Sequence, residues 1–332
     1  MRIVIIKLGA IGDVLRTTSI LPGLKEKYQS ARIDWITKPS GKEMLLYNPF
    51  INRTFIWDEK AELNGYDLVI SLEDEFGACE LASSLKPGNF FGSYVDQGKI
   101  VYTPSNWFDM SAISRFGLEK ANLLKKKNSK TFQQHMSELL GINVGSYVYT
   151  QTKDEIEYGR KFVRNLGVEK NEKVVGVNTG AGSRWQLKSL GFEKTIDLVD
   201  RMTKQLGVVS IILGGEGEKE RNAIIAKETG MLNGGIHSLR NFAGVVNQCQ
   251  LVVSSDSLAM HFAIALKKRL VVFFGPTSPA EIELYGLGTK VYPEIDCLVC
   301  YNKKCVEKPN CMDLLSVDDL FEAVRKNYRG KT

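Results

Sequence analysis

The chain has 332 residues, about twice the usual length of one domain, so two domains are the starting expectation. Hydrophobic residues make up 43% and charged residues 25%, ordinary globular usage that excludes a largely disordered chain. The net charge of +6, from 44 Lys and Arg against 38 Asp and Glu, is too mild to mark a nucleic-acid binder.

The first predicted strand is RIVII at 2–6, followed by a glycine-bearing turn and a helix over 12–28. Strands at 32–36 and 67–72 follow, and the alternation of strand and helix fades between about 100 and 130. After a helix at 131–140 and another at 155–166, strand KVVGV at 173–177 restarts the pattern. Strands at 208–213, 250–254 and 270–274 then alternate with helices at 192–206, 217–229, 241–249 and 258–267. The strands are rich in Val and Ile without polar alternation, which suits parallel strands buried on both faces. The chain is therefore α/β, with two doubly wound domains meeting near residue 150 and facing a central cleft. Ligands in such sheets bind beyond the carboxyl ends of the strands.

No apolar run approaches the roughly 20 residues that span a bilayer. Lys7 interrupts the N-terminal apolar stretch before a signal peptide could form, so a cytoplasmic protein is expected. The basic excess sits in two stretches. Residues 115–130 carry six cations against Glu119 alone, and 325–332 adds Arg325, Lys326, Arg329 and Lys331. Solvated helix faces are the plain reading of both.

Four strand-to-helix loops hold the residues with chemistry. In the first, Gly9 and Gly12 permit a tight turn, and Asp13 stands at the helix start either as an N-cap or as a projecting base. The spacing is neither a dinucleotide fingerprint nor a P-loop. The second runs from Asn178 through Thr179 and Ser183 to Lys188, small hydroxyl residues and cations that suit a phosphate cradle. The third is GGEGE at 214–218, whose Glu218 suits ribose hydroxyls or simply favours a helix N-terminus. The fourth places Asp256, Ser257 and Leu258 at the start of a helix, with His261 one turn inside it.

Cys297, Cys300, Cys305 and Cys311 put four of the six cysteines within 15 residues. In a reducing compartment this spacing favours a structural zinc, or iron as second choice, over disulfides; unbound thiols are the alternative. Cys79 and Cys249 lie in apolar context and read as core.

Taken together, KLGAIGDVLRTTSILPGLK at 7–25, the Lys188 loop, GGEGE at 214–218, SDSLAMHFAIAL at 255–266 and FGPTSP at 274–279 resemble glycosyltransferase family 9, the ADP-heptose:lipopolysaccharide heptosyltransferases. The segment CLVCYNKKCVEKPNCM at 297–312 is similar to its cysteine-bearing members, whereas 26–150 matches poorly. The resemblance implies a GT-B fold. An acceptor domain at 1–150 is joined by the last helix, about 316–332, packing back on it. A nucleotide-sugar domain spans 151–315.

It also implies an inverting transfer without a catalytic metal or other catalytic cofactor. Asp13 would be the general base, and Lys188 would offset charge on the departing diphosphate. Gly12, Thr179, Ser183, Glu218, Asp256, Ser257, Leu258 and His261 would join Lys188 in holding the donor. The implied partners are ADP-heptose and an anionic glycolipid, met by a cytoplasmic protein at the inner membrane face, with no nucleic acid. The family usually has Gly after the Asp-Ser/Thr pair, so Leu258 is a departure that narrows the space near the phosphates or sugar. Another nucleotide-sugar, a protein acceptor, or a non-catalytic nucleotide-sugar-binding role are the alternatives. With the last helix on the first domain, that unit would own the whole basic excess.

Overall fold

The computed structural model describes residues 1–59, 63–181, 187–302 and 304–329. The chain divides into two compact units, 1–150 with 280–283, and 151–279 with 284–332. Each is built on one six-stranded sheet.

The first sheet contains β1 (Arg2–Ile6), β2 (Arg32–Thr37), β3 (Arg53–Ile56), β4 (Leu68–Ser71), β5 (Asn89–Asp96) and β6 (Lys99–Tyr102), in the order β3-β2-β1-β4-β5-β6. All neighbours are parallel except the β5–β6 hairpin, which turns through Gln97 and Gly98, both at positive φ. Ile3, Val4, Ile5 and Ile6 are fully buried, as the central strand of a doubly covered sheet requires. The strand order reverses direction at β1, so the loops after β1 and β4 flank the switch point where such sheets hold ligands.

The second sheet contains β7 (Val174–Asn178), β8 (Val209–Leu213), β9 (Leu232–Asn233), β10 (Leu251–Ser255), β11 (Arg269–Phe273) and β12 (Gly288–Val291), in the order β12-β11-β10-β7-β8-β9. Every pair is parallel. Its switch point lies at β7 and β10, whose following loops begin at Thr179 and Asp256.

Three expectations change. The helix expected over 12–28 is two helices, Ile11–Thr17 and Ile20–Lys27. The Thr18 and Ser19 hydroxyls donate back to the Leu15 and Arg16 carbonyls between them, the local competition that ends helices. The last helix, Val317–Arg329, does not return to the first unit. It buries Leu320, Phe321 and Val324 in one core with Leu251, Val271 and Phe273 of the second sheet, and Asn327 Nδ2 donates to Thr289 Oγ1 at 2.9 Å. The charge distribution is consequently reversed. The first unit holds 18 basic and 18 acidic residues, and the second carries the whole excess of +6. Among the described residues no helix is long and apolar enough to cross a membrane.

Candidate active site

In the first unit, the chain leaving β1 is fixed by one carboxylate at the end of β4. Glu73 Oε1 accepts from Lys7 Nζ at 2.8 Å, Leu8 N at 2.6 Å and Gly9 N at 3.2 Å. This side chain was not singled out from sequence, because its partners lie more than 60 residues away. The helix that follows has Ala10 at its N-cap, with no side-chain cap, and Gly12 as its second residue.

Asp13 is therefore not the cap. It stands third in the helix, and its half-buried carboxylate accepts from Arg16 Nη2 at 2.7 Å through Oδ1. Arg16 is only 8% exposed. Its guanidinium lies 4.4 Å from the Phe132 ring centroid and 5.7 Å from that of Trp107, with Glu281 Oε2 at 4.0 Å. Two aromatic faces and a carboxylate thus hold a cation that in turn holds Asp13. The i, i+3 spacing of Asp13 and Arg16 is a signal that sequence reading could have used.

Lys125 also turns toward this region. Burial pulls its ammonium down, opposed by the charges of Glu281, Asp74 and Asp13. That corrects the plain reading of the 115–130 cations as a solvated face throughout.

In the second unit, Lys188 and Asp256 come together at the switch point. Lys188 is 9% exposed, and its Nζ donates to Asp256 Oδ2 at 2.8 Å and to the Asp256 carbonyl at 3.0 Å. The buried His261 places Nε2 3.9 Å from Asp256 Oδ1. Burial alone would push the Asp256 carboxyl up. The charges of Lys188 and His261 and the hydrogen bond from Lys188 outweigh it and hold the group well below the usual carboxylate range.

Ser257 is the N-cap of the helix Leu258–Ala265 but makes no side-chain cap. Its hydroxyl accepts from Asn178 Nδ2 at 3.1 Å and lies 2.9 Å from Ser254 Oγ, which ties β7 to β10. Leu258 is the first helical residue, half-buried where the chain enters the helix. Thr179 differs from the expected donor contact. Its side chain is buried and donates to Asn222, which also reaches the Leu213 carbonyl, so it braces β7 against the helix Lys219–Thr229. Ser183 lies outside the described residues.

Glu218 accepts from Gly215 N at 2.9 Å and packs directly on Gly180. A Cβ at Gly180 would stand 2.4 Å from Glu218 Oε1, so glycine is what lets the carboxylate sit against that loop. Asp256, Ser257, His261 and Lys188 thus gather at one switch point, with Glu218 on the neighbouring loop.

The cysteine segment braces this unit and is not remote from the site's loops. Val299 N and Tyr301 N donate to the Gly275 and Pro276 carbonyls at 3.1 and 2.8 Å, and the Tyr301 hydroxyl accepts from Ser278 N at 3.3 Å. Cys311 Sγ packs under Gly275, where a Cβ would approach it to 2.7 Å. Burial and the neighbouring Cys300, Cys297 and Cys305 push the Cys311 thiol up to about 11. Among the described residues no group of three or more His, Cys, Asp or Glu side chains is arranged to hold a metal ion. Cys79 and Cys249 are buried in the core.

The chain matches the family model of glycosyltransferase family 9 (heptosyltransferase) over residues 122–311, more than half its length. It is 23% identical to lipooligosaccharide heptosyltransferase 2 of Campylobacter jejuni, over 95% of this chain and 94% of that one. It superposes with a TM-score of 0.75 on a family 9 glycosyltransferase from Veillonella parvula, at 20% identity, covering 98% of this chain and 96% of the other. On the ADP-heptose lipopolysaccharide heptosyltransferase II of Escherichia coli the TM-score is 0.68, at 17% identity and 98% coverage of both chains.

Proposed function

The chain belongs to glycosyltransferase family 9 (heptosyltransferase), and from that premise we propose that it moves a heptose-like sugar from an ADP-sugar to a lipopolysaccharide-type acceptor, with inversion. The observation that carries the donor half is Lys188, an almost fully buried ammonium held at the β7/β10 switch point by Asp256. A buried cation beside a helix N-terminus is a natural counter-charge for a diphosphate.

In the proposed step the acceptor hydroxyl oxygen attacks the anomeric carbon from the face opposite the diphosphate. Its proton passes to the Asp13 carboxylate, the bond from carbon to the β-phosphate oxygen breaks, and that electron pair leaves on ADP. Lys188 stabilises the growing negative charge, helped by the first amides of the helix Leu258–Ala265. No divalent metal takes part, because the ammonium and the amides carry that charge. Glu218 binds the ribose, and Asp256 and His261 orient the sugar.

Arg16 supports the base reading, because it fixes one Asp13 oxygen and so limits the carboxylate's motion. Leu258 at the helix start would restrict the donor's sugar or phosphates. The acceptor would be an anionic glycolipid met at the cytoplasmic face of the inner membrane. Calorimetric titration with ADP-heptose and a panel of UDP- and other ADP-sugars tests the donor. Tightest binding of ADP-heptose, lost in Lys188→Ala, supports the assignment; preference for a UDP-sugar rejects it.

A further inference from the structure

The end of strand β4 carries a carboxylate whose partners lie on the neighbouring strand's exit. In a continuing parallel ladder the Leu8 amide would turn to the Leu72 carbonyl, one step beyond the bond from Leu72 N to the Ile6 carbonyl at 3.0 Å. It goes instead to Glu73 Oε1 at 2.6 Å, and the same oxygen takes Gly9 N at 3.2 Å and Lys7 Nζ at 2.8 Å. Lys7 Nζ also reaches the Leu72 carbonyl at 3.4 Å. Three donors, one of them a cation, thus converge on one oxygen of a largely buried side chain, and bonds to a charged acceptor are the strong ones. Amides at this place in a doubly wound sheet commonly face a ligand's phosphate. Here the protein's own carboxylate occupies them, so they fix the loop.

The carboxylate is itself held from behind. The Glu73 carbonyl accepts from Ser93 Oγ on β5 and from Cys79 Sγ at 3.8 Å on the helix Phe76–Ser84, and both residues are fully buried. Ahead of it, a Cβ at Gly9 would meet nothing within 4 Å among the described residues, so no packing wedges the chain there. Ala10 follows directly, and its carbonyl accepts from Asp13 N at 2.9 Å and Val14 N at 3.0 Å. The helix that presents Asp13 therefore starts on the residue next to the one that Glu73 holds.

We propose that Glu73 is a positioning residue for the Asp13 base. It sets the path of the chain from β1 into the helix Ile11–Thr17, while Arg16 holds the carboxylate at the other end. It touches neither donor nor acceptor and acts through Leu8, Gly9 and Ala10. Removing its carboxylate leaves two amides and an ammonium without this acceptor, and the loop must move to find others. Displacing a reacting group by about an ångström lowers a rate by about a hundredfold. The purpose of the clamp rests on the proposed function, in which Asp13 takes the acceptor proton, but the clamp itself is tested without the transfer reaction.

Hydrogen exchange followed by mass spectrometry makes that test. Glu73→Ala should lose about tenfold in protection across residues 8–14, the size of one charge-assisted hydrogen bond, with the second unit unchanged. Glu73→Gln keeps an oxygen for both amides and should retain most of the protection. Kinetics with ADP-heptose and a lipid-linked acceptor then test the purpose. In Glu73→Ala, kcat should fall about a hundredfold with donor KM unchanged, and Glu73→Gln should lose only about fivefold, since a neutral oxygen bonds about half as strongly. In an Asp13→Ala background either substitution should cost about twofold or less, because no base remains to be misplaced. Circular dichroism and ADP affinity report the fold of each variant, and Glu73→Gln carries the same cycle if Glu73→Ala does not fold. Unchanged exchange in Glu73→Ala, wild-type kcat in both variants, a loss confined to KM, or an undiminished loss in the Asp13→Ala background overturns the proposal. An unchanged rate in Asp13→Ala alone rejects the base reading, and the exchange result decides the clamp independently of it.

Discussion

Arg16 Nη2 grips Asp13 Oδ1 at 2.7 Å, from a guanidinium packed against the Phe132 and Trp107 rings, which also pack on each other. A carboxylate of ordinary strength is a weak base at neutral pH, so what such a site can supply is position. Removing Arg16 releases Asp13 and uncovers the two rings it packs on.

Arg16→Ala should therefore lower kcat for ADP release by about a hundredfold, the scale expected for misplacing a reacting group by an ångström. Arg16→Lys should recover part of the loss, because an ammonium reaches the same carboxylate without the planar fork. Steady-state kinetics should find donor KM little changed in both. An equal loss in the two variants, or a loss confined to KM, would contradict the positioning role.

The Lys188–Asp256 pair makes a prediction about stability. Lys188→Ala leaves Asp256 largely buried without its main counter-charge, which costs about 3–5 kcal/mol for a pair of this kind. Urea unfolding measures it. Asp256→Asn with Lys188 retained should be destabilised at neutral pH but lose less of its remaining stability in acid. The Asp256 carboxyl is held below its unfolded value, so its contribution is complete above about pH 4 and disappears as the pH falls through the lower folded value. Parallel acid profiles for wild type and variant would refute the assignment.

Gly180→Ala should raise donor KM by about tenfold and change kcat little. The new methyl would meet Glu218 Oε1 at 2.4 Å and push the carboxylate away from where a ribose would sit. One lost charge-assisted hydrogen bond is about this size. A normal KM would mean that Glu218 does not bind the donor.

The thiols should react in a fixed order. Cys305 is exposed, whereas burial and its neighbours push Cys311 up to about 11 and burial pushes Cys249 up to about 12. Alkylation at mildly alkaline pH, followed by mass spectrometry, should label Cys305 first and leave Cys311 and Cys249 largely unmodified. Early labelling of Cys311 would show that it does not pack under Gly275.

Much of this architecture was legible in the chain. Buried parallel strands announce themselves as Val- and Ile-rich runs, and β1, β2, β4, β7, β8, β10 and β11 all stand where such runs occur. Strands β5 and β6 escaped because Asn89–Asp96 and Lys99–Tyr102 mix polar and aromatic residues on a half-covered edge. The last helix has an evident apolar stripe at Leu320, Phe321 and Val324. A stripe says that a helix must pack, not which sheet receives it, and here the second sheet's β10 and β11 do so.

The same limit governs the site. Asp13, Lys188, Asp256 and His261 lie in strand-to-helix loops or in the first turn of the helix that follows, so pattern and family resemblance find them. Glu73 acts through partners far away in sequence, and nothing local marks it. Asp13 was ambiguous for another reason. A carboxylate at a helix start satisfies the rule for caps, and only the geometry, with Ala10 at the cap, separates that role from a projecting one.

The most direct test is ADP release from ADP-heptose in the presence of a lipid-linked lipopolysaccharide-type acceptor, comparing wild type with Asp13→Ala. Wild type should release ADP with sugar joined to the acceptor in the inverted anomeric configuration. Asp13→Ala should bind the donor normally and lose about a hundredfold or more of that rate, the range of a general base. An unchanged rate in the variant, or retention at the anomeric carbon, would contradict the account.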